Sequence, residues 1–146
     1  FANEHQKFRG GDRVATFQWD GAVIAPLICY DLRFPEVFRI ATRAGTEIFV
    51  VIANWPTARV HHWTTLLAAR AIENQAYAIG CNRCGADPNV AYPGRSVVFD
   101  PRGQLIGDAG GAEGVLRVDI DVESLRQYRR EFPALNDMRF VGEKLR

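Results

Sequence analysis

A cysteine that ends an apolar run is the residue of this 146-residue chain best suited to chemistry. Residues 22–28 are apolar, Cys29 follows, and a charged and aromatic turn leads to Pro35, which fits the first position of a helix. This order predicts a thiol at the C-terminal end of a strand, where open α/β sheets keep their binding crevices. The nearby helix N-terminus favours a thiolate, which attacks carbonyl or nitrile carbons, and the N–H of Tyr30 would help to hold the oxyanion. The alternative is an inert cysteine that packs as a small apolar side chain.

Trp55 and Arg59 are the candidate substrate-binding residues. They lie on the loop after the next predicted strand, and strand-end loops on one side of a sheet converge on one crevice. An aromatic wall and a cation there would suit a small substrate that carries a carboxylate. A packed tryptophan and a merely exposed arginine are an equally good interpretation. Glu4 lies in a polar stretch, where the residues alone favour a solvated charge.

The residue types that bind metals or exchange disulfides lack a supporting pattern. Cys81 and Cys84 form a Cys-x-x-Cys pair, but an odd separation sends two side chains of a strand to opposite faces. No second cysteine pair follows, so no metal site is predicted. His61 and His62 are adjacent and do not face one another on a helix. A Cys29–histidine pairing is possible but has no motif behind it.

A buried charge is predicted on the second helix. Arg70 lies on an otherwise apolar face with the helical spacing i, i+3, i+4, i+7. Because a buried arginine needs a partner, we expect Arg70 to be paired with Glu73 or Glu36. Arg33 is interpreted as a structural ion-pair partner rather than a catalytic group.

Strands and helices alternate in the part of the chain that must position these residues. Strands are predicted at residues 14–19, 22–29, 47–53 and 76–82, a hairpin at 96–106, and a further strand at 114–120. Helices are predicted at residues 35–44, 60–74 and 122–130. This order favours an α/β fold, a mixed sheet with helices on one face. The opposite face is apolar too, so we expect a second sheet to cover it, from the rest of the polypeptide or from another subunit.

Composition argues against several classes of partner. The net charge of +1 gives no electrostatic basis for binding nucleic acid or an anionic membrane. No apolar run approaches the roughly 20 residues that span a bilayer. Three cysteines are an odd count and there is no signal-peptide pattern, so we expect a reducing, cytoplasmic compartment. The chain begins at Phe1 without an initiator methionine, and we expect it to be part of a longer polypeptide.

Several segments resemble the motifs of the nitrilase superfamily, the carbon–nitrogen hydrolases, and within it the ω-amidase (2-oxoglutaramate amidase) branch. They are residues 27–36 (LICYDLRFPE), 53–56 (ANWP), 62–75, 94–96 (GRS), 100–103 (DPRG) and 128–133 (YRREFP). The resemblance implies an αββα sandwich, of which this chain would be about half to two-thirds. Residues 1–146 would form the C-terminal portion of a single carbon–nitrogen hydrolase domain, with the N-terminal portion absent.

The resemblance also implies a Glu-Lys-Cys triad, often with a second glutamate nearby. Cys29 matches the nucleophile and Glu4 the second glutamate, whereas the general-base glutamate and the lysine have no counterpart and are expected upstream of Phe1. The implied reaction is hydrolysis of a small ω-amide such as 2-oxoglutaramate through a cysteine thioester, with release of ammonia and without a metal or organic cofactor. A homodimer is implied as well. A nitrilase or carbamoylase of the same superfamily, and a non-catalytic half-domain that acts in binding or assembly, remain alternatives.

Overall fold

The computed structural model describes residues 6–139. The strands are β1 (Phe17–Trp19), β2 (Ala22–Ile28), β3 (Ile48–Ala53), β4 (Tyr77–Asn82), β5 (Cys84–Ala86), β6 (Ala91–Pro93), β7 (Val97–Phe99) and β8 (Leu105–Asp108). The helices are α1 (Pro35–Arg43), α2 (Val60–Asn74) and α3 (Val122–Glu131), with short 3-10 turns at Cys29–Arg33, Thr57–Arg59 and Ala134–Asp137. Within this range no helix is both long enough and apolar enough to cross a membrane.

One mixed sheet organises the described residues. Its strand order is β1-β2-β3-β4-β7-β8, and β5 pairs with β6 in a separate hairpin. β2, β3 and β4 are parallel, with Ile28 opposite Ile52 and Ile52 opposite Cys81, whereas β1, β7 and β8 pair antiparallel with their neighbours. Because the three parallel strands end at one edge, the loops that follow them meet there.

Helices α1 and α2 cover one face of the sheet, as the sequence predicted. The core below them contains Ala25, Leu27, Phe38, Phe49, Val51, Trp63, Leu67 and Ala78, each at most 6% exposed. The rings of Phe38 and Phe49 meet edge to face at 5.0 Å. Gly80 of β4 allows the close approach of α2, because a Cβ at this position would overlap Trp63 and Leu67. The parallel strands therefore pack closely against helices α1 and α2.

The opposite face of the sheet is apolar and only partly covered. At one end of the parallel strands, Leu125 of α3 packs against Ile24 and Ile48. At the other end, Ile28 and Ile52 are 63% and 52% exposed. Helix α3 thus adds a cover that the prediction of helices on one face did not assign.

The strand predicted at residues 114–120 is absent, because that range has no regular secondary structure. Leu116 and Val118 pack beside Gly107 of β8, where a Cβ would press against both side chains. Val115 is 97% exposed. The alternation of apolar and polar residues therefore marks a half-buried and an exposed side of this segment, without hydrogen bonding to a neighbouring strand.

Candidate active site

Cys29 lies on a sharp elbow between β2 and α1. It follows the last residue of β2 and begins the 3-10 turn of residues 29–33, after which Pro35 starts α1. The φ angle of Cys29 is 44°, in the left-handed region, where a residue with a Cβ is strained. The Asp31 carboxylate accepts a hydrogen bond from the N–H of Ile28 at 2.9 Å and so braces the elbow across Cys29. Strain of this kind clusters at functional sites, which supports a chemical role for the thiol.

Arg70 of α2 ties that helix to the elbow. The residue is 5% exposed, and its guanidinium donates to the backbone oxygen of Leu32 at 2.8 Å and to Oε1 of Glu73 at 3.0 Å. The prediction that Arg70 is buried and paired is confirmed, with Glu73 as its partner, whereas Glu36 is exposed. Because Leu32 belongs to the 3-10 turn, this contact holds the segment that presents Cys29.

Asn82, the last residue of β4, holds the loop that follows β3. Its side-chain oxygen accepts from the N–H of Trp55 at 2.7 Å, and its side-chain NH₂ donates to the backbone oxygens of Trp55 at 3.2 Å and Gly94 at 2.7 Å. Its own N–H donates to Oγ of Ser96 at 3.0 Å. Sequence reasoning missed Asn82, although its place after an apolar run is the same signal that identified Trp55.

Trp55 is packed beneath the cleft and is 3% exposed. Its indole N–H donates to the backbone oxygen of Arg59 at 2.7 Å, and its ring lies 5.6 Å from that of Trp63. The Arg33 guanidinium stacks over the ring at 4.8 Å, in place of the ion pair expected from the sequence. Trp55 therefore offers a rigid underlying surface, while Arg59 is exposed.

The loops at this edge surround an open cleft of about 1120 Å³. Four residues singled out from the sequence, Cys29, Tyr30, Trp55 and Arg59, line it together. Glu4 lies outside the described residues. The structure thus brings the candidate nucleophile, oxyanion donor and substrate-binding residues to one place.

Positive charge dominates the described lining of the cleft. Its arginines are Arg9, Arg33, Arg59 and Arg83. Asp31 is the one acidic side chain among these described lining residues, and it accepts a hydrogen bond from the elbow backbone. A cleft lined by one sign of charge concentrates the opposite sign. The cleft therefore favours an anionic ligand.

The other cysteines and histidines of the described residues offer no metal site. None of the three cysteines is in a disulfide, and Cys81 lines the cleft from β4 whereas Cys84 lies on β5. His62 Nδ1 lies 3.4 Å from the Arg33 guanidinium, and neither His61 nor His62 lines the cleft. Across residues 6–139 no group of three His, Cys, Asp or Glu side chains is placed to hold a metal ion.

Comparison with known proteins gives a consistent family match. The family model for carbon-nitrogen hydrolases matches residues 2–130. The omega-amidase YafV of Escherichia coli (strain K12) is 45% identical over 139 residues, which are 93% of this chain and 53% of that protein. The 2-oxoglutaramate amidase of Bacillus subtilis (strain 168) is 38% identical over 137 residues, which are 94% of this chain and 53% of that protein. The chain spans about half the length of the curated relatives that it matches.

The fold matches a solved structure as well. XC1258 of Xanthomonas campestris is described as a CN-hydrolase superfamily protein with an arsenic adduct in its active site. It superposes with a TM-score of 0.88 at 34% identity, covering 97% of this chain and 56% of that chain. This likeness confirms the predicted fold class.

Proposed function

Because this chain belongs to the carbon–nitrogen hydrolase family, we propose that it carries the nucleophile and part of the substrate cleft of an amidase. The proposed substrates are small ω-amides of dicarboxylic acids, such as 2-oxoglutaramate, and ammonia is the first product. The observation that carries the proposal is the placement of Cys29, strained at a left-handed elbow and lining a cationic cleft.

The proposed reaction passes through a thioester on Cys29. A general base takes the thiol proton, and the sulfur attacks the amide carbon. The Tyr30 N–H stabilises the resulting oxyanion, a kind of contact whose loss lowers kcat about 100- to 1000-fold. The C–N bond breaks, and the nitrogen leaves as ammonia with the proton taken from the thiol. Water, deprotonated by the same base, then attacks the thioester carbon, releases the carboxylic acid and restores the thiol.

Three further groups complete the proposed site. Glu4 would orient the substrate amide or the lysine. The general-base glutamate and an oxyanion-binding lysine would act from outside these 146 residues. The mass and sequence of the native polypeptide test this assignment, and a native polypeptide without both groups would contradict the enzyme and favour a binding or assembly domain.

Two observations support an anionic ω-amide as the substrate. Relatives of this chain are named omega-amidase and 2-oxoglutaramate amidase. The cleft of this chain also attracts a carboxylate, since Arg59 is exposed and its guanidinium has no hydrogen bond or ion pair to other residues of the described range 6–139. Trp55 is packed below the cleft, and its indole N–H, which donates to the backbone oxygen of Arg59, supports the loop that carries this arginine.

Ammonia release from 2-oxoglutaramate by the intact native polypeptide tests the proposal. In Cys29→Ala the rate should fall at least about 1000-fold, as expected when a nucleophile is removed. Cys81→Ala is the matched control, because Cys81 is a second thiol on the same cleft, and its activity should be retained. Turnover that survives in Cys29→Ala would refute the thioester mechanism.

A substrate panel separates the alternatives. Nitriles and N-carbamoyl compounds are offered beside the ω-amide. Turnover of either of these with no turnover of ω-amides would replace the amidase by a nitrilase or a carbamoylase. A native polypeptide that turns over none of these compounds would favour a non-catalytic half-domain that acts in binding or assembly.

The cytoplasm is the proposed compartment, because the Cys29 thiol must stay reduced to act as a nucleophile. A homodimer is proposed on the family resemblance, with the segment after Phe132 in contact with the partner. Light scattering on the native polypeptide tests the dimer, and a mass equal to one chain would contradict it.

A further inference from the structure

Arg83 lies at the rim of the cleft, directly after β4 and before the hairpin of β5 and β6. Its backbone is fixed on both sides, since its N–H donates to the oxygen of Ala53 at 3.0 Å and its oxygen accepts from the N–H of Gly94 at 3.1 Å. Its side chain is 39% exposed, and the residue lines the same cleft as Cys29. A cation is therefore held at a defined place on the cleft wall.

Tyr92 and Asp87 of this hairpin orient the Arg83 guanidinium. The guanidinium carbon lies 4.4 Å from the centroid of the Tyr92 ring, a cation–π contact. Asp87 lies 3.7 Å from the guanidinium, while its oxygens accept shorter bonds from the N–H groups of Asn89 and Val90 at 2.9 Å and from the Tyr92 hydroxyl at 2.8 Å. These bonds, that from Asn89 foremost, hold the pKa of Asp87 below its ordinary value. The carboxylate is thus held beside the Arg83 guanidinium by the hairpin backbone and by Tyr92.

The donors of Arg83 are largely unused within the described chain. A guanidinium has N–H donors in a planar fork that matches a carboxylate. The contacts of this guanidinium with Asp87 and with the oxygen of Ala86 are long, at 3.7 and 3.4 Å. The Arg83 guanidinium is thus oriented by its neighbours while most of its N–H donors remain available, which suits it to bind an incoming anion.

We propose that Arg83 is the specificity-determining residue of the amidase, binding the substrate carboxylate while Cys29 attacks the amide at the other end. Asp87 and Tyr92 are positioning residues for Arg83. The proposal rests on the proposed function, and it divides the work between two arginines. Arg59 draws the anion into the cleft, whereas the oriented Arg83 fixes its direction.

The strand register sets the length of substrate that fits. Ile28, Ile52 and Cys81 are opposite one another on β2, β3 and β4, so Cys29 and Arg83 leave the same edge of the sheet two strands apart. Two strand spacings separate their backbones by about 10 Å. Both residues line the cleft, so the proposal implies a linear substrate chain of a few carbons between them.

The experiment compares two amides on the intact native polypeptide and on Arg83→Met. Glutaramate and pentanamide have chains of equal length, one ending in a carboxylate and the other in a methyl group. For glutaramate, kcat/KM should fall about 10- to 100-fold, the loss expected for a charge-assisted hydrogen bond, and for pentanamide it should be unchanged. Arg83→Lys, which keeps the charge but loses the fork, should lie between. Arg117→Met, an exposed arginine that does not line the cleft, is the matched control.

Positioning by Tyr92 has its own readout. Tyr92→Phe removes the hydroxyl that donates a hydrogen bond to Asp87 but keeps the ring, so KM for glutaramate should rise several-fold with kcat and pentanamide turnover unchanged. An equal effect on both amides would show a general loss of structure and would overturn the positioning role.

Glutarate binding, measured by calorimetry, separates the two proposals. The dicarboxylate should bind the native polypeptide, and about 10- to 100-fold more weakly after Arg83→Met, whether or not any amide is hydrolysed. If glutarate binds as expected but no amide is hydrolysed, the proposed amidase activity is refuted and carboxylate binding by Arg83 is not. Equal glutarate binding by both forms, no binding by either, or equal losses with both amides would overturn the role of Arg83.

Discussion

Replacing Asn82 by alanine tests how far one side chain holds the shape of the cleft. The substitution removes hydrogen bonds to the N–H and oxygen of Trp55 and to the oxygen of Gly94, all at a buried position. Each buried backbone group left unpaired costs about 1–3 kcal/mol. If water enters the vacated space and reaches one of the three, the two groups left unpaired should lower the free energy of unfolding by about 2–6 kcal/mol.

Urea unfolding of the intact native polypeptide measures this loss as a lower midpoint with an unchanged slope. Asn89→Ala is the matched control, because Asn89 is exposed on the β5–β6 hairpin, and it should change stability by less than about 0.5 kcal/mol. Asn82→Asp keeps the acceptor for Trp55 but places a buried carboxylate against the backbone oxygens of Trp55 and Gly94, so at neutral pH it should be at least as destabilising as Asn82→Ala. Turnover should fall with stability, because the Trp55 loop loses its anchor.

A variant Asn82→Ala that is as stable as the Asn89→Ala control would refute this reasoning. The Trp55 loop would then be held by its own contacts and by the packing of its ring. If the variant were stable but turned over substrate more slowly, Asn82 would contribute to the shape of the cleft and not to the stability of the fold.

Two further predictions concern charge and packing. Burial alone would raise the pKa of Glu47, but the hydrogen bonds from Arg126 and the N–H of Val23 bring it below its ordinary value of 4.5. The stabilisation from Glu47 is therefore complete above about that pH and is lost as pH falls through the lower folded-state pKa. In urea titrations from pH 7 to 3, the difference in unfolding free energy between wild type and Glu47→Gln should therefore shrink. A difference independent of pH would contradict this. Gly80→Ala should cost about 1–3 kcal/mol by overlap with α2, whereas Gly114→Ala, which meets no atom within 4 Å, should be nearly neutral in thermal unfolding.

Local order in the sequence was enough to predict the elbow. An apolar run followed by Cys29 and then by Pro35 specifies strand, turn and helix within a few residues, and the structure has each of them. Helical spacing also predicted the burial of Arg70, because the apolar stripe of α2 is a property of neighbouring turns. The α/β arrangement follows from the same local patterns.

The supports that the sequence did not reveal join distant segments. Asn82 clamps a residue 27 positions earlier, and Arg83 gains its orientation only when β5 and β6 pair. The strand predicted at residues 114–120 is wrong for a related reason, since alternation shows which side chains face inward but not whether the backbone pairs with a neighbouring strand. Contacts of this kind depend on the register of the whole sheet.

At Cys29 the left-handed backbone conformation lowers the stability of the fold, whereas the side chain carries the thiol proposed as the nucleophile. A residue with a Cβ pays roughly 1–2 kcal/mol for this conformation, whereas glycine adopts it freely. Glycine at this position would relieve the strain and delete the thiol in the same step. Selection for heat resistance alone would therefore move the position away from cysteine, so laboratory evolution of a tougher variant has to be screened for turnover at every round.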